Sequence, residues 1–566
     1  MADNSRRVAE NGRIIFVFSF LILLTYLALF FLRSLDDNRL TSWQLAFERT
    51  GILKFFFMGS ASLISAYILS RLSLLERHPL LCIFSASYAA AALFWREPEV
   101  IVDASRYFTQ AKHLEIYGAG YFIREWGRDI AAWTDMPLVP FFYGMIFKFF
   151  GESRIYIQAF TSLLFSMTAV LTFLTGKTLW DEAAGFSAGW FLLGIPYLFT
   201  QVPIMLVDVP AMFFLTLAVF TFIKVLDRGG VWIIFSSVSI FFAFFSKYST
   251  WPMLSVLIVI FLAYMLRKPD SKLRPNYTYR GAMVALISTV LIGIVFWYKL
   301  DFFLEQIKFL FSYQKPGLKT WGESLISTFF FQINPLITFS ALYSVYYAVK
   351  KKDLKYAIIG WMLFLTALFQ INRIRYIIIV FPMLSLMASY GIMGIKSRRN
   401  VRFITLAAVS FSIIIAAFVY LPFVRNVSVL NLKDAGEFLN STKKSNVRVL
   451  SVAPENPVLN PAVSVPLFDV YAKKKICFDY EKVPYRDPDE IKTSPLRFTW
   501  EYKNPAYYLC DEPMDKNILA VVVIRGEAGI RLPEEIQKKV AGFQNIKDFD
   551  VPDDIYVYQT ILSVYY

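Results

Sequence analysis

Six ionisable residues stand beside apolar runs, where charge is costly and is kept mainly for use. They are Asp103 in DASRYF, Asp135 in TDMPLVP, Asp208 in MLVDVPAMFF, Lys247 in FFSKYSTWP, and Arg373 and Arg375 in QINRIRYIIIVFP. A carboxylate in such a place can deprotonate a hydroxyl or an amine. Arg can grip a phosphate as a two-pronged fork and Lys as a point charge. Together they suit transfer of a group from a phosphorylated lipid, whose phosphate leaves as its negative charge builds and the cations stabilise it. Each residue also has a plainer reading. Asp208, followed by Val209 and Pro210, can simply cap a helix, since Pro suits the first helical turn. Asp103 can cap the stretch 104–118 in the same way. Lys247 can be an interfacial lysine whose ammonium reaches for water. Arg373 and Arg375 can pair with acidic residues of the C-terminal region. Only the joint placement of the six favours chemistry.

The rest of the chain shows what must hold them. Of 566 residues, 57% are hydrophobic, 18% aromatic and only 18% charged, against about 25% charged in soluble domains. These proportions exclude an ordinary soluble globular protein and a disordered chain. They predict a polytopic α-helical membrane protein. Thirteen stretches are apolar and long enough to span: 14–32, 52–70, 79–95, 155–175, 186–201, 209–226, 231–246, 251–266, 281–298, 325–348, 356–371, 376–395 and 402–421. The first follows Arg6, Arg7 and Arg13 and lacks a small-residue cleavage site, so it reads as a helix that stays rather than a signal peptide. The stretch 137–150 is short, with Pro137 and Pro140 at its start, and reads as an interfacial or half-inserted helix.

Orientation follows from lysine and arginine in short loops. With the N-terminus in the cytoplasm, the basic loops 267–280, 349–355 and 396–402 all fall inside. The six residues above then converge outside, although none of them set the orientation. The net charge of +15 is thus largely topological and does not point to nucleic acid. The longest external loop, 96–154, carries an amphipathic stretch with Tyr107, Ala111, Leu114 and Tyr117 on one face. Residues 423–566 are polar and predict a small external α/β domain, with strands near 447–452 and 518–524 and helices near 432–442 and 533–540. The organisation expected is an N-terminal pair of extra helices (1–78) with no catalytic role, a transmembrane catalytic region (79–422) and the external domain (423–566). Two His are too few for a His-based metal centre, and three Cys form no disulfide framework. Cys82 reads as a packing residue, while Cys477 and Cys510 can form a single bridge.

At these motifs the chain resembles the GT-C fold glycosyltransferases of family 39, the relatives of protein O-mannosyltransferases and lipid A aminoarabinose transferases. Asp103-Ala104-Ser105-Arg106-Tyr107 is similar to the family's acidic motif, often written D-E-x-R-Y. Met136-Pro137-Leu138 is similar to its Pro-rich stretch, and Leu206-Val207-Asp208-Val209-Pro210 to its second acidic site. Ser246-Lys247-Tyr248 and Arg375-Tyr376-Ile377, with Phe381-Pro382 after it, match a Lys-containing turn and an R-Y-(L/I)…P motif. The resemblance covers roughly residues 80–390. It implies a polyprenyl-phosphate-sugar donor and a single displacement with inversion at the sugar carbon. It implies Asp103 as the catalytic carboxylate that activates the acceptor, with Asp208 assisting. Arg106, Tyr107, Asp135, Lys247, Tyr248, Arg373, Arg375 and Tyr376 are the implied substrate-binding residues, with Lys247, Arg375 and Arg373 on the lipid phosphate. No cofactor is required, and a divalent metal is compatible but not implied, because Lys and Arg supply the positive charge. The chain departs from the family at Ala104, where a Glu is usual. It departs again at Asp135, where the aminoarabinose transferases carry a Lys, and the His of the mannosyltransferase D-x-H-P-P motif is missing. These departures leave the acceptor class open.

The expectation is therefore a multi-pass glycosyltransferase of the cell membrane, with its N-terminus cytoplasmic and its C-terminal domain external. Its partners are a polyprenyl-phosphate-sugar lipid, an external acceptor (lipid, glycan or protein) and the bilayer, with no nucleic acid. The alternative is a transporter or flippase of an anionic lipid. Transporters carry their charges inside spans and often in repeated halves, and the sequence shows few charges at span centres and no repeat.

Overall fold

The computed structural model describes residues 2–38, 41–96, 103–132, 134–266, 274–314, 323–452, 460–478, 499–500, 502–509, 519–525, 529–550 and 560–566. It is predominantly helical, as hydrocarbon requires of an apolar chain whose backbone groups must pair internally. Among the described residues, seven helices are long and apolar enough to cross a membrane: Gly12–Phe31, Ile52–Leu69, Arg154–Leu179, Asp208–Arg228, Pro275–Tyr298, Ile374–Ile392 and Arg398–Val427. These fall on seven of the thirteen predicted stretches.

The other stretches are shorter or interrupted, and two need correction. The stretch 186–201 is not one helix. Glu182–Leu193 ends at Gly194, and a separate turn, Pro196–Gln201, begins at a proline that has no N–H to continue the ladder. The stretch 325–348 likewise divides into Ser327–Gln332 and Pro335–Lys351. Asn334 caps the second part, its side chain accepting from the Leu336 N–H at 3.0 Å. The predicted half-inserted segment is a 13-residue helix, Leu138–Phe150, which packs against the helix Asp103–Glu125. At the centre of the bundle, Gly391 lets the Phe381–Ile392 helix lie directly on the backbone of Pro335–Lys351. A Cβ there would collide with the Ser340 carbonyl oxygen.

The helix Asp103–Glu125 is amphipathic, with Tyr107, Ala111 and Leu114 buried as predicted, but Tyr117, just before the kink, is exposed. The helix kinks at Gly118, whose φ of 86° an L side chain rarely adopts. Beyond the bundle lie five strands, β1 (Asn446–Val452), β2 (Lys475–Phe478), β3 (Leu519–Arg525), β4 (Ile546–Phe549) and β5 (Ile561–Tyr565), in the order β2-β1-β3-β5-β4. β1 pairs parallel with β2 and β3, while β5 pairs antiparallel with β3 and β4. Helices Leu430–Ser441 and Glu534–Val540 cover opposite faces of the sheet, close to their predicted positions. Cys477 is buried on β2 and disulfide-bonded, while Cys510, the partner that the sequence offers, lies outside the described residues.

One face of the sheet does not stand alone. Its Val447, Val449, Val522 and Val564 belong to a single apolar cluster with Tyr107, Phe108 and Ala111 of the amphipathic helix and with Ile204–Val207, the segment that leads into Asp208. The sheet is thereby fixed over the end of the bundle where the charged residues gather.

Candidate active site

Four helix ends meet there. Asp103 opens the helix Asp103–Glu125, Asp208 opens Asp208–Arg228, Lys247 follows the last residue of Trp232–Ser246, and Arg375 lies in the first turn of Ile374–Ile377. The antiparallel turn between Asp208–Arg228 and Trp232–Ser246 returns Lys247 to the level of Asp208. Its Nζ lies 2.5 Å from Asp208 Oδ1. Arg375 serves two carboxylates with two different nitrogens. Its Nη1 lies 2.5 Å from Asp103 Oδ2 and its Nε 3.3 Å from Asp208 Oδ2. Arg106 extends the chain of charges, with Nη2 at 3.3 Å from both Asp103 and Asp135. Asp135 is buried and also accepts from the Tyr107 hydroxyl at 3.1 Å and from Gln110 Nε2 at 3.3 Å. Tyr143 steadies the approach to Asp208 by donating its hydroxyl to the Leu206 carbonyl at 2.6 Å.

The plainer readings give way to these contacts. Asp208 makes no side-chain cap, and its carboxylate is spent on Lys247 and Arg375. Arg373 pairs with Glu323, Nε to Oε1 at 3.4 Å. The ring of Tyr376 lies under two cations, 5.7 Å from Lys247 Nζ and 5.4 Å from Arg373 Cζ, inside cation–π range. Of the predicted set, Tyr248 lies within electrostatic reach of Asp135, and its hydroxyl has no hydrogen-bond partner among the described residues. It packs on Trp251 within an apolar cluster that includes Met136 and Phe245.

Burial on its own would push the Asp103 carboxyl up. Arg375 and Arg106 beside it outweigh burial and hold it down at about 2. Asp135 moves the other way, because burial there outweighs Arg106. Asp103 therefore stays ionised at neutral pH, and it is a weak base for as long as Arg375 holds it. No group of three or more His, Cys, Asp and Glu among the described residues is arranged to hold a metal ion.

Residues 134–294 match the dolichyl-phosphate-mannose-protein mannosyltransferase family. That stretch includes Asp135, Asp208 and Lys247 and stops short of Arg373 and Arg375. No curated protein matches the chain. Among solved structures, the ArnT of Cupriavidus metallidurans bound to undecaprenyl phosphate superposes with a TM-score of 0.55 at 11% identity, over 87% of this chain and 98% of that one. The same enzyme in its apo state gives 0.53 at 11% identity, over 86% and 98%. The chain has the GT-C fold. It is a multi-pass membrane protein of glycosyltransferase-like architecture, and its match with the mannosyltransferase family fits the resemblance carried by the five motifs.

Two further residues complete the cluster of this GT-C chain, and the sequence did not single them out. Glu323 is buried and holds Arg373. Tyr197, fully buried after the break at Pro196, lies within electrostatic reach of Glu323, Arg373, Arg375 and Asp208. Its hydroxyl has no hydrogen-bond partner among the described residues. The break itself was a signal for Tyr197, since a Gly-Ile-Pro interruption in an apolar run marks non-helical backbone, which needs a reason to lie within a membrane protein.

A second polar cluster lies at the seam between the amphipathic helix and the sheet domain. Lys112 Nζ is 2.5 Å from Asp469 and 3.1 Å from Glu152, and Tyr508 donates to Asp469 at 2.6 Å. Lys112, Glu152 and Asp469 line a cavity of about 510 Å³ together with Ser445 and Lys473. Burial lifts Asp469 to about 6 and Glu152 to about 7, against the pull of Lys112.

Proposed function

We propose that this protein is a glycosyltransferase of the cell membrane that moves a sugar from a polyprenyl-phosphate carrier to an acceptor at the outer face. The observation that carries the reading is Arg375 bridging Asp103 and Asp208 while Lys247 holds Asp208 from the other side. In this resting arrangement the cations and carboxylates satisfy one another. A carrier phosphate competes for the same cations, and once Arg375 turns to it, Asp103 loses the partner that keeps its basicity low. Carrier binding thus switches on the base. The acceptor then gives its proton to Asp103 and attacks the sugar carbon. The bond from that carbon to the phosphate oxygen breaks, the configuration inverts, and the polyprenyl phosphate leaves with its charge neutralised by Arg375 and Lys247. The undecaprenyl phosphate bound by the structurally similar ArnT supports a carrier of that class.

The sheet domain, sharing its core with the amphipathic helix, closes over the site from the acceptor side. The flippase alternative has less support, because the charges converge on one end of the bundle instead of lining a path through it. The deciding experiment compares lipid-linked and surface glycans by mass spectrometry with the wild-type protein, with Asp103→Asn and without the protein. Asp103→Asn keeps the volume and abolishes transfer. Full transfer by that variant would sink the assignment.

A further inference from the structure

The two N-terminal helices carry none of the charged motifs, yet the loop between them is wired to the site. Asp36 is buried in that loop and accepts from Ser327 Oγ at 2.6 Å, Gln332 Nε2 at 2.8 Å and the Trp43 N–H at 2.6 Å. Its neighbour Asp37 is at the surface and accepts the Ser324 N–H with both carboxylate oxygens at 3.0 Å. Thr41 donates to Gln332 Oε1 at 2.7 Å and takes the Gln332 amide on its carbonyl at 3.0 Å. Asn38 Nδ2 faces Glu323 Oε2 at 3.5 Å. Every one of these contacts falls on the segment 323–332 or on the loop itself. That segment is followed by Asn334–Pro335 and begins with Glu323, which pairs with Arg373 and accepts the Ile374 N–H at 3.3 Å. The Ile374 N–H belongs to the turn that carries Arg375.

We propose that the loop 33–51 is a positioning element of the site, in which Asp36 and Asp37 anchor the segment 323–332 so that Glu323 holds Arg373 turned toward Tyr376 and the carrier phosphate. The inference rests on the reading of Arg373 as a phosphate contact. It assigns to the N-terminal helices the role that the sequence withheld from them. The arrangement is a relay of buried, charge-assisted hydrogen bonds, the strong kind, and it runs from carboxylates that never meet the substrate to a guanidinium that does. A buried carboxylate with four donors around it, the Asn38 N–H at 3.2 Å being the fourth, fixes its neighbours in one geometry, because any other leaves a donor unpaired. The contact also explains why the loop buries Asp36, Asn38, Thr41 and Ser42 in a part of the chain with no charged motif of its own.

The test measures binding of undecaprenyl phosphate and of undecaprenol, which lacks the phosphate, to the detergent-solubilised full chain by native mass spectrometry. Asp36→Ala is expected to weaken undecaprenyl phosphate about tenfold and to leave undecaprenol unchanged. In an Arg373→Ala background the same substitution is expected to add nothing, since residues acting through one group are coupled. Equal loss for both lipids, or an unreduced loss in the Arg373→Ala background, would show that the loop merely stabilises the fold and would overturn the proposal. If Asp36→Ala does not fold, the exposed Asp37→Ala carries the same cycle with the same expected pattern. The outcome separates from that of the parent reading. If Arg375→Lys and wild type bind both lipids alike, the phosphate site itself is refuted. If Arg375→Lys loses undecaprenyl phosphate while Asp36→Ala and Asp37→Ala match wild type, only the relay is refuted.

Discussion

Replacing Arg375 by Lys keeps one positive charge and removes a geometry. The guanidinium reaches Asp103 with Nη1 at 2.5 Å and Asp208 with Nε at 3.3 Å. A single ammonium on a flexible stem can meet one of these carboxylates at that distance, but not both. Asp208 retains Lys247, so the group left short is Asp103, which keeps only Arg106 at 3.3 Å. The pull of its cations lowers the Asp103 carboxyl from 3.8 to about 2 in spite of burial. Nearly two units correspond to about 2 kcal/mol. Most of that stabilisation is given up in the variant, and the carboxyl returns toward its ordinary range or above it. The sign follows. A depressed carboxyl stabilises the fold above about pH 4 and loses that contribution as pH falls through about 2. The variant lacks that contribution, so it is about 2 kcal/mol less stable than wild type near neutral pH, and the gap narrows as pH falls from about 4 toward 2. Turnover suffers more, because the departing phosphate loses one of its charge-stabilising contacts, worth about 3 kcal/mol or a hundredfold to a thousandfold. The assay is initial-rate transfer in proteoliposomes, with detergent-extracted protein melted from pH 3 to pH 8 as a control for folding. Turnover within about threefold of wild type, or a stability gap that does not narrow toward pH 3, would refute the account of Arg375 as a bridge.

Other consequences can be checked with less material. The seam carboxyls Asp469, raised to about 6, and Glu152, raised to about 7, keep protons that the unfolded chain has already shed. Stability accordingly falls as pH rises from about 4 to 7, by about 3 kcal/mol for either group. The melting midpoint is expected to be higher at pH 5 than at pH 7.5, and Asp469→Asn with Glu152→Gln should flatten the difference; an unchanged slope in the double variant refutes it. Tyr197→Phe removes a buried hydroxyl that has no partner among the described residues. The free protein should gain about 1 kcal/mol in thermal stability, while affinity for undecaprenyl phosphate drops several-fold if the hydroxyl serves the phosphate; a loss of stability instead would show that the hydroxyl is already bonded. Gly391→Ala sets a methyl group against the Ser340 carbonyl. It should cost about 3 kcal/mol or prevent accumulation of folded protein, whereas the open-space Gly293→Ala on the periphery should be tolerated.

The charged motifs were legible because a membrane leaves so few charges that each is conspicuous. Asp103, Asp208, Lys247 and Arg375 stood out on that ground alone, and the structure brings all four into direct contact. Glu323 was not legible. It lies 50 residues before Arg373 in the chain, and no spacing rule links an acid in a polar loop to a guanidinium on another helix. The loop around Asp36 was visible as polar, but polarity between two spans says nothing about depth, and its burial comes from folding against 323–332 and against Tyr420. Period and length placed β1, β3 and the two outer helices of the sheet domain within a residue or two, while β2, β4 and β5 were not singled out. The breaks at Pro196 and Asn334–Pro335 were written in the sequence as well. There the apolar count outweighed the proline, although a proline inside an apolar run removes a backbone donor whatever surrounds it.

The core shared by the sheet and the amphipathic helix bears on how the protein is made. β5, residues 561–565, is an inner strand, with β3 on one side and β4 on the other. A ribosome that has already inserted every membrane helix has therefore not yet supplied the strand that completes the sheet. Until it does, the apolar cluster that Tyr107, Phe108 and Ala111 share with the sheet lacks Leu562 and Val564. Exposed apolar surface of that kind is what holdases recognise and what aggregates when synthesis stalls. Full assembly of the site thus falls after translation of β5. A chain interrupted before β5 would carry the membrane helices described above and still lack a completed sheet beside Asp103.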